Sequence, residues 1–235
     1  MDSLPIILFL LVFILILFGY PVALTLGGIS IIAGLIFFDI DFFYLVSLRI
    51  YGIMNNFVLL AVPLFVFMGL TLEKSGIAER LLETMAILFG KIKGGLAYSV
   101  IIVGGMLAAS TGIVGATVVT MGLISLPTMI KRGYDPKLAT GVIASSGTLG
   151  QIIPPSVVLV LLGSVLNISV GNLFISALLP GITLVFLYLL YVMLITFINP
   201  SHAPSMPEKI IKEFREKTNL MSIINAFLLP FILIF

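Results

Sequence analysis

Long apolar runs alternate with short polar interruptions along this chain, and the interruptions divide it into elements. Residues 1–38 are almost wholly apolar. A hydrocarbon core about 30 Å thick takes roughly 20 helical residues, so this run exceeds one span, and Gly19-Tyr20-Pro21 offers a break. The pattern predicts two rather short helices, Leu4–Phe18 and Val22–Phe37, with one long tilted helix as the alternative. Asp39-Ile40-Asp41 marks an interface. Phe42–Asn56 mixes aromatics with Arg49 and two asparagines, which suits an interfacial helix. Arg49 reads there as a snorkelling anchor ahead of a substrate-carboxylate contact. Phe57–Leu72 is a further span that Pro63 kinks or starts. From Glu73 to Lys93 the period changes: Ile77, Leu81, Leu82, Met85, Leu88 and Phe89 recur at helical spacing with Glu79, Arg80 and Glu83 between them. That predicts an amphipathic helix lying on the membrane surface.

Gly94–Ile130 carries no charge and is flanked by Lys91 and Lys93 on one side and Lys131 and Arg132 on the other. Cytoplasmic loops collect Lys and Arg, so both ends are expected on the cytoplasmic side. Such a segment is two full spans or a re-entrant hairpin. Its middle, Ser110-Thr111-Gly112-Ile113-Val114-Gly115-Ala116-Thr117, has hydroxyls and glycines but no interfacial charge, which favours a tip that stops inside the membrane. Gly133-Tyr134-Asp135-Pro136 is a turn. The segment from Leu138 to about Leu166 then crosses but is broken at Ser145-Ser146-Gly147-Thr148-Leu149-Gly150-Gln151-Ile152-Ile153-Pro154-Pro155-Ser156. Two prolines remove two backbone donors and clash with the preceding turn, and Pro154 biases Ile153 away from helical geometry. Unwound backbone at membrane depth is tolerated only when buried in protein or lining a watery cavity. The stretch is therefore a kink repaired by neighbours or an ion and substrate site. A pair of interrupted apolar segments is the best sequence pointer to the midplane site of a secondary transporter. Small-residue helix packing is the plainer reading of the first stretch. Asn167–Asn172 reads as a polar turn, Leu173–Ile198 as a span back, Asn199–Asn219 as a cytoplasmic loop, and Leu220–Phe235 as the start of another span, cut partway. On that reading the chain is the first part of something longer.

Composition agrees. Of 235 residues 60% are hydrophobic and 9% charged, with mean hydropathy +1.30, against roughly 25% charge in soluble domains. The fold class is an all-α polytopic membrane protein. The first run has no basic flank and flows into another span, so it is expected to be retained and not cleaved. Every basic residue except Arg49 falls on the inside of this map.

The candidate chemistry is oxygen chemistry. No Asp, Glu, Lys or Arg lies within 94–130 or 138–207, and the one histidine, His202, reads as a solvated loop residue. Proton-coupled carriers usually need a buried carboxylate or histidine. What the breaks offer are the hydroxyls of Ser110, Thr111, Thr117, Ser145, Ser146 and Thr148 and the carbonyls freed around Gly112 and Gly147. Unwound carbonyls and helix C-termini suit Na⁺, and helix N-termini suit anionic groups. Each hydroxyl taken alone more often bonds a nearby carbonyl. The serines have no base beside them, so a serine hydrolase is excluded. With no cysteine and one histidine there is no transition-metal site, and no phosphate-cradling loop is present. The chain reads as a transporter, not an enzyme, with no organic cofactor and Na⁺ as coupling ion. No nucleic-acid partner is expected.

The run Gly133-Tyr134-Asp135, Ser145-Ser146-Gly147-Thr148-Leu149-Gly150 and Ile152-Ile153-Pro154-Pro155-Ser156 resembles the large membrane subunit of tripartite ATP-independent periplasmic (TRAP) transporters. Gly19-Tyr20-Pro21-Val22-Ala23, Pro63-Leu64-Phe65 and Glu73-Lys74-Ser75-Gly76-Ile77-Ala78 are similar too. The resemblance covers the whole chain and is most specific at Ile-Ile-Pro-Pro-Ser. It implies a Na⁺-driven elevator-type carrier for a carboxylate-bearing organic solute. Its expected partners are a periplasmic solute-binding protein, a small membrane subunit and the lipid bilayer of the inner membrane. The fold implied is two inverted repeats, of which this chain matches the first; the C-terminal repeat is missing. In those terms residues 1–73 are scaffold helices and 74–93 a surface arm helix. Residues 94–132 are the re-entrant hairpin, 133–170 the broken helix, 171–198 a span, 199–219 a cytoplasmic loop and 220–235 a truncated helix.

The resemblance also places ion ligands at Thr111 and Ile113 in the hairpin tip and at Gly150, Ile153 and Pro155 in the broken helix, the last three able to offer only carbonyls. Two departures stand out. Many members carry Ser-Gly-Ser where Thr111-Gly112-Ile113 stands, and many carry an acid where Thr117 stands. Two rival readings are a non-transporting membrane remnant or scaffold protein and another Na⁺/anion symporter of similar architecture.

Overall fold

The computed structural model describes residues 4–38, 41–112 and 114–207. These are all-helical, and the chain divides into two compact units, Met1–Asn56 and Phe57–Phe235.

In the first unit, α1 (Leu4–Leu17) and α2 (Val22–Phe37) pack on one another. Gly19 has φ +88, a left-handed conformation that glycine adopts without a side-chain penalty, and Pro21 stands at the N-cap of α2. At ~1.5 Å rise per residue both helices fall short of a ~30 Å hydrocarbon core. None of α1 is buried, while α2 buries a narrow face at Thr25, Ile29, Ala33 and Gly34. The unit closes with α3 (Asp41–Met54).

The second unit holds the core. It begins with α4 (Ala61–Lys74), and Pro63 lies in its first turn, where no N–H is needed. Gly76, left-handed with φ +71, turns the chain into α5 (Ile77–Leu88). The segments Ala61–Leu72 and Ile77–Leu88 are bent by 59° against each other. The face Ala78, Leu81, Leu82, Met85 and Ala86 of α5 is buried, while Glu79, Arg80 and Glu83 are exposed. A helical hairpin follows: α6 (Gly95–Thr111), a turn at Gly112, and α7 (Val114–Lys131). Next come α8 (Pro136–Thr148), a short 3₁₀ turn (Leu149–Gln151), and α9 (Val157–Leu166). Asn167 ends α9 in the left-handed conformation. Then α10 (Val170–Ile198) starts three residues before the expected Leu173, because Ser169 supplies the non-helical cap residue. Among the described residues, α7 and α10 are long and apolar enough to cross a membrane, three elements if the α4–α5 pair counts as one bent span.

The core lies where α6 packs against α4, α5, α7, α8 and α10. Leu81, Ala97, Val100, Val103, Met121, Met129, Ala139 and Val192 are fully enclosed. The approach is close because small residues stand where the helices cross. A methyl group on Gly104 would lie 2.6 Å from Ser146 Cβ, and one on Gly147 would run into Val118. Apolar burial separates helices little from lipid, so close contact of small residues is what favours packing here.

The sequence predicts a cytoplasmic loop over Asn199–Asn219, of which 199–207 are described. Its residues Pro200–His202 form a 3₁₀ turn, and it is tied to both neighbouring turns. The N–H of Asp135 donates to His202 O (2.9 Å), that of Gly94 to Ala203 O (2.9 Å), and that of Met206 to Gly90 O (2.8 Å). His202 is half-buried, and its role here is through its carbonyl. The charge-rich run 208–217 and the apolar run 220–235 lie outside the described residues.

Candidate functional site

The site is built from two interruptions that meet. The first is the turn at Gly112. Its φ of +60 is a conformation other residues rarely take. A Cβ there would sit 2.9 Å from the Val157 side chain and 3.0 Å from Val157 N. The hairpin turn therefore rests on the first residue of α9.

The second interruption runs from Leu149 to Ser156. In a continuous helix the N–H at 154 would donate to Gly150 O and that at 155 to Gln151 O; proline supplies neither. The chain compensates in part. The N–H groups of Ile152 and Ile153 both donate to Leu149 O, at 3.0 and 2.8 Å. The Ser156 hydroxyl donates to Gln151 O (2.8 Å) and accepts from Leu159 N (3.4 Å), capping α9. Gln151 O thus regains a partner, while the donor Gly150 O would have had is gone. The Pro154–Pro155 peptide is cis. Behind the break stands Gly181 of α10, just after the helix-internal Pro180. A methyl group on it would lie 2.9 Å from the Ile153 side chain.

Four helix ends take part in two contacts here: the turn between α6 and α7 at Gly112 touches the first residue of α9, and Gly147 near the end of α8 touches Val118 near the start of α7. The C-termini of α6 and α8 bring carbonyls and partial negative charge, and the N-termini of α7 and α9 bring N–H groups and partial positive charge. No formal charge competes with them, since 138–207 contains no Asp, Glu, Lys or Arg. Such an arrangement can hold a small cation on carbonyl oxygens and an anionic group on N–H donors side by side.

The expected site residues distribute as follows. Gly112, Gly150, Ile153 and Pro155 fall at the two interruptions, with Gly150 buried and Ile153 and Pro155 half-buried. Thr117 is buried one turn into α7. Gly147 is the contact point of α8 with α7. The Ser146 hydroxyl is fully buried and donates to Ile143 O (2.9 Å), and that of Thr148 donates to Ser145 O (2.7 Å). Ser145 faces elsewhere: it lines an open cleft of about 390 Å³ with Lys137, Tyr188 and Tyr191. Ile113 lies outside the described residues, as do the side chains of Ser110 and Thr111.

Sequence reasoning passed over Ser156, although a serine before an apolar run is an N-cap signal. It also missed Tyr134, buried at the far end of the hairpin. The Tyr134 hydroxyl accepts from Leu96 N (3.1 Å), one of the orphan donors at the start of α6. Burial pushes the Tyr134 phenol above its ordinary range. Asp135 caps α8 by accepting from Lys137 N (2.8 Å) and Leu138 N (3.2 Å), and the bond from Leu138 foremost holds its carboxyl below the ordinary range.

The chain matches the family described as "Tripartite ATP-independent periplasmic transporter, DctM component" over residues 9–235. It is 35% identical over 175 residues to the C4-dicarboxylate TRAP transporter large permease protein DctM of Vibrio cholerae, covering 74% of this chain and 39% of that protein. The protein of the same name from Pseudomonas aeruginosa is 31% identical over 187 residues, 80% of this chain and 43% of that protein. The ectoine TRAP transporter large permease protein TeaC of Halomonas elongata is 31% identical over 179 residues, 75% of this chain and 42% of that protein. The chain thus spans about two-fifths of the length of these relatives. With residues 9–235 matched, the chain belongs to the DctM family, the large permease component of TRAP transporters.

Proposed function

We propose that this chain is the N-terminal part of a multi-pass inner-membrane permease that takes up a carboxylate-bearing organic solute by Na⁺ symport. In this reading the hairpin α6–α7 is re-entrant and moves with the broken helix α8–α9 as half of an elevator-type transport domain. A C-terminal repeat, a small membrane subunit and a periplasmic binding protein complete the machine. The C4-dicarboxylate and ectoine relatives support the solute class, since both named solutes bear carboxylates.

The observation that carries the reading is the loss, at Pro154, of the helical donor to Gly150 O, next to the contact of the hairpin turn with Val157. Na⁺ would be held by carbonyls of Gly150, Ile153 and Pro155 with groups of Thr111 and Ile113 from the hairpin. The solute carboxylate would face the N-termini of α7 and α9. The neutral lining makes a proton a poor coupling ion, because no side chain there titrates near neutrality.

The test is uptake into proteoliposomes by a permease containing this chain and its C-terminal repeat, with the small subunit and binding protein. Uptake is expected to require a Na⁺ gradient. Pro154→Ala returns an N–H that can claim Gly150 O, and the Na⁺ concentration for half-maximal uptake is expected to rise about tenfold, roughly 1.4 kcal/mol. Uptake that ignores Na⁺, or an unchanged Na⁺ dependence in Pro154→Ala, would sink the proposal.

A further inference from the structure

Away from the interruptions, a second cavity lies between α5 and the basic end of the hairpin. It is open, holds about 330 Å³, and is lined by Glu79 and Glu83 of α5 and Thr128 and Arg132 at the end of α7, over an apolar floor that includes Leu82 and Ile124. Arg132 is half-buried, and its NH1 nitrogen is enclosed without a hydrogen-bond partner. Neither carboxylate reaches that nitrogen, although both line the same space. A half-buried guanidinium whose NH1 is sealed without a partner is poorly hydrated; that nitrogen is out of a ligand's reach, so an anion would answer the charge from the cavity side of the residue. Desolvation also pulls the Arg132 pKa below its ordinary value, which an anion beside it would reverse. Arg132 also lines a pocket of only about 10 Å³, walled by Tyr134, Gly90 and Met206, which is room for one water at most.

The larger cavity therefore carries both signs of charge. Glu79 and Glu83 are one turn apart and so share a face of α5. A ligand that satisfied Arg132 with a plain anion would leave two carboxylates facing it unpaired. A ligand with a phosphate and a primary ammonium a few bonds apart would answer both, and its apolar part would run over Leu82, Ile87 and Ile124. The amphipathic α5 and the flanking Lys131 put the cavity at the level where lipid headgroups lie.

The geometry points to a binding site for an amine-bearing zwitterionic phospholipid, a phosphatidylethanolamine, with its phosphate on Arg132 and its ammonium between Glu79 and Glu83. The lipid would tie the exposed edge of α5 to the end of α7. This site shares no residue with the interruption at 149–156, so it stands or falls independently of the ion site.

Native mass spectrometry of the detergent-solubilised permease containing this chain and its C-terminal repeat tests it, with phosphatidylethanolamine, phosphatidylglycerol and phosphatidylcholine of identical acyl chains added in turn. Retained phosphatidylethanolamine is expected to exceed each of the others at least fivefold. Arg132→Gln, and separately the double variant Glu79→Gln/Glu83→Gln, are expected to remove that preference. The exposed glutamates tolerate substitution, so the double variant reads the site even if Arg132→Gln fails to fold. Equal retention of phosphatidylcholine would overturn the ammonium–carboxylate half of the site, and equal or greater retention of phosphatidylglycerol would reduce it to a general anion site. Displacement by free phosphoethanolamine at the same concentration would overturn the lipid assignment. Retention of phosphatidylethanolamine at the original level in the double variant, or no retention by the unaltered permease, would refute the site itself.

Discussion

Two apolar regions of this molecule behave in opposite ways. Helix α1 is built almost entirely of large aliphatic and aromatic residues, and none is buried; Phe9 is 70% exposed and Leu17 73%. Helices α6 and α8 are diluted with Gly, Ala, Ser and Thr, yet Ala97, Val100, Ala139 and Ser146 are sealed. Hydrophobicity thus places a segment among lipids but does not say whether it forms a core. In a solvent as apolar as the side chains, the small residue decides, because it lets backbones approach and dispersion contacts form.

The largest test of that contrast is Gly147→Val. The added Cβ would run into Val118, whose backbone N would lie 3.1 Å from it. Overpacking at a backbone contact is expected to cost about 3 kcal/mol, read as a lowered thermal midpoint in detergent together with loss of Na⁺-dependent uptake by the assembled transporter. Next comes Tyr134→Phe, which leaves the buried Leu96 N–H without its acceptor. A loss of about 1–3 kcal/mol is expected, with faster amide exchange at Leu96.

Ser156→Ala removes a cap and the donor to Gln151 O together. About 1–2 kcal/mol is expected from capping data, and hydrogen exchange should rise first in the initial turn of α9. A smaller effect follows from Asp135. Its carboxyl is held below its ordinary pKa in the fold, so its contribution to stability is present above the ordinary carboxylate value and fades as pH falls through the lowered one. Asp135→Asn should flatten the acid limb of a stability–pH curve, lowering stability slightly at neutral pH and leaving it little changed at low pH. Smallest of all is Phe9→Leu in α1, expected within about 0.5 kcal/mol; a drop as large as that of Gly147→Val would erase the distinction between the two regions.

Much of the helical segmentation was legible. The break at Gly19–Pro21, the turn at Gly112 and the interruption before Ser156 all stand at glycines and prolines, whose backbone limits act locally and need no neighbours. The period of Ile77, Leu81, Leu82 and Met85 announced the amphipathic face of α5 for the same reason. The hidden parts were those that join distant segments. His202, read as a solvated loop residue, lends its carbonyl to Asp135, a pairing set by where α10 ends in space. Ser145 was grouped with Ser146 as a cavity hydroxyl, yet the two point to different places because neighbours on a helix are about 100° apart.

Local chemistry along the chain dictates a set of apolar helices interrupted at fixed points, with uncharged oxygen groups at the interruptions. Periodicity, missing proline donors and glycine dihedrals are properties of adjacent residues, so they can be read in order. Helix packing in three dimensions is what sets Gly112 on Val157 and Gly147 against Val118, and what gives Arg132 a cavity in common with two glutamates. Those contacts depend on how the helices cross, and crossing geometry follows from side-chain shape summed over whole faces.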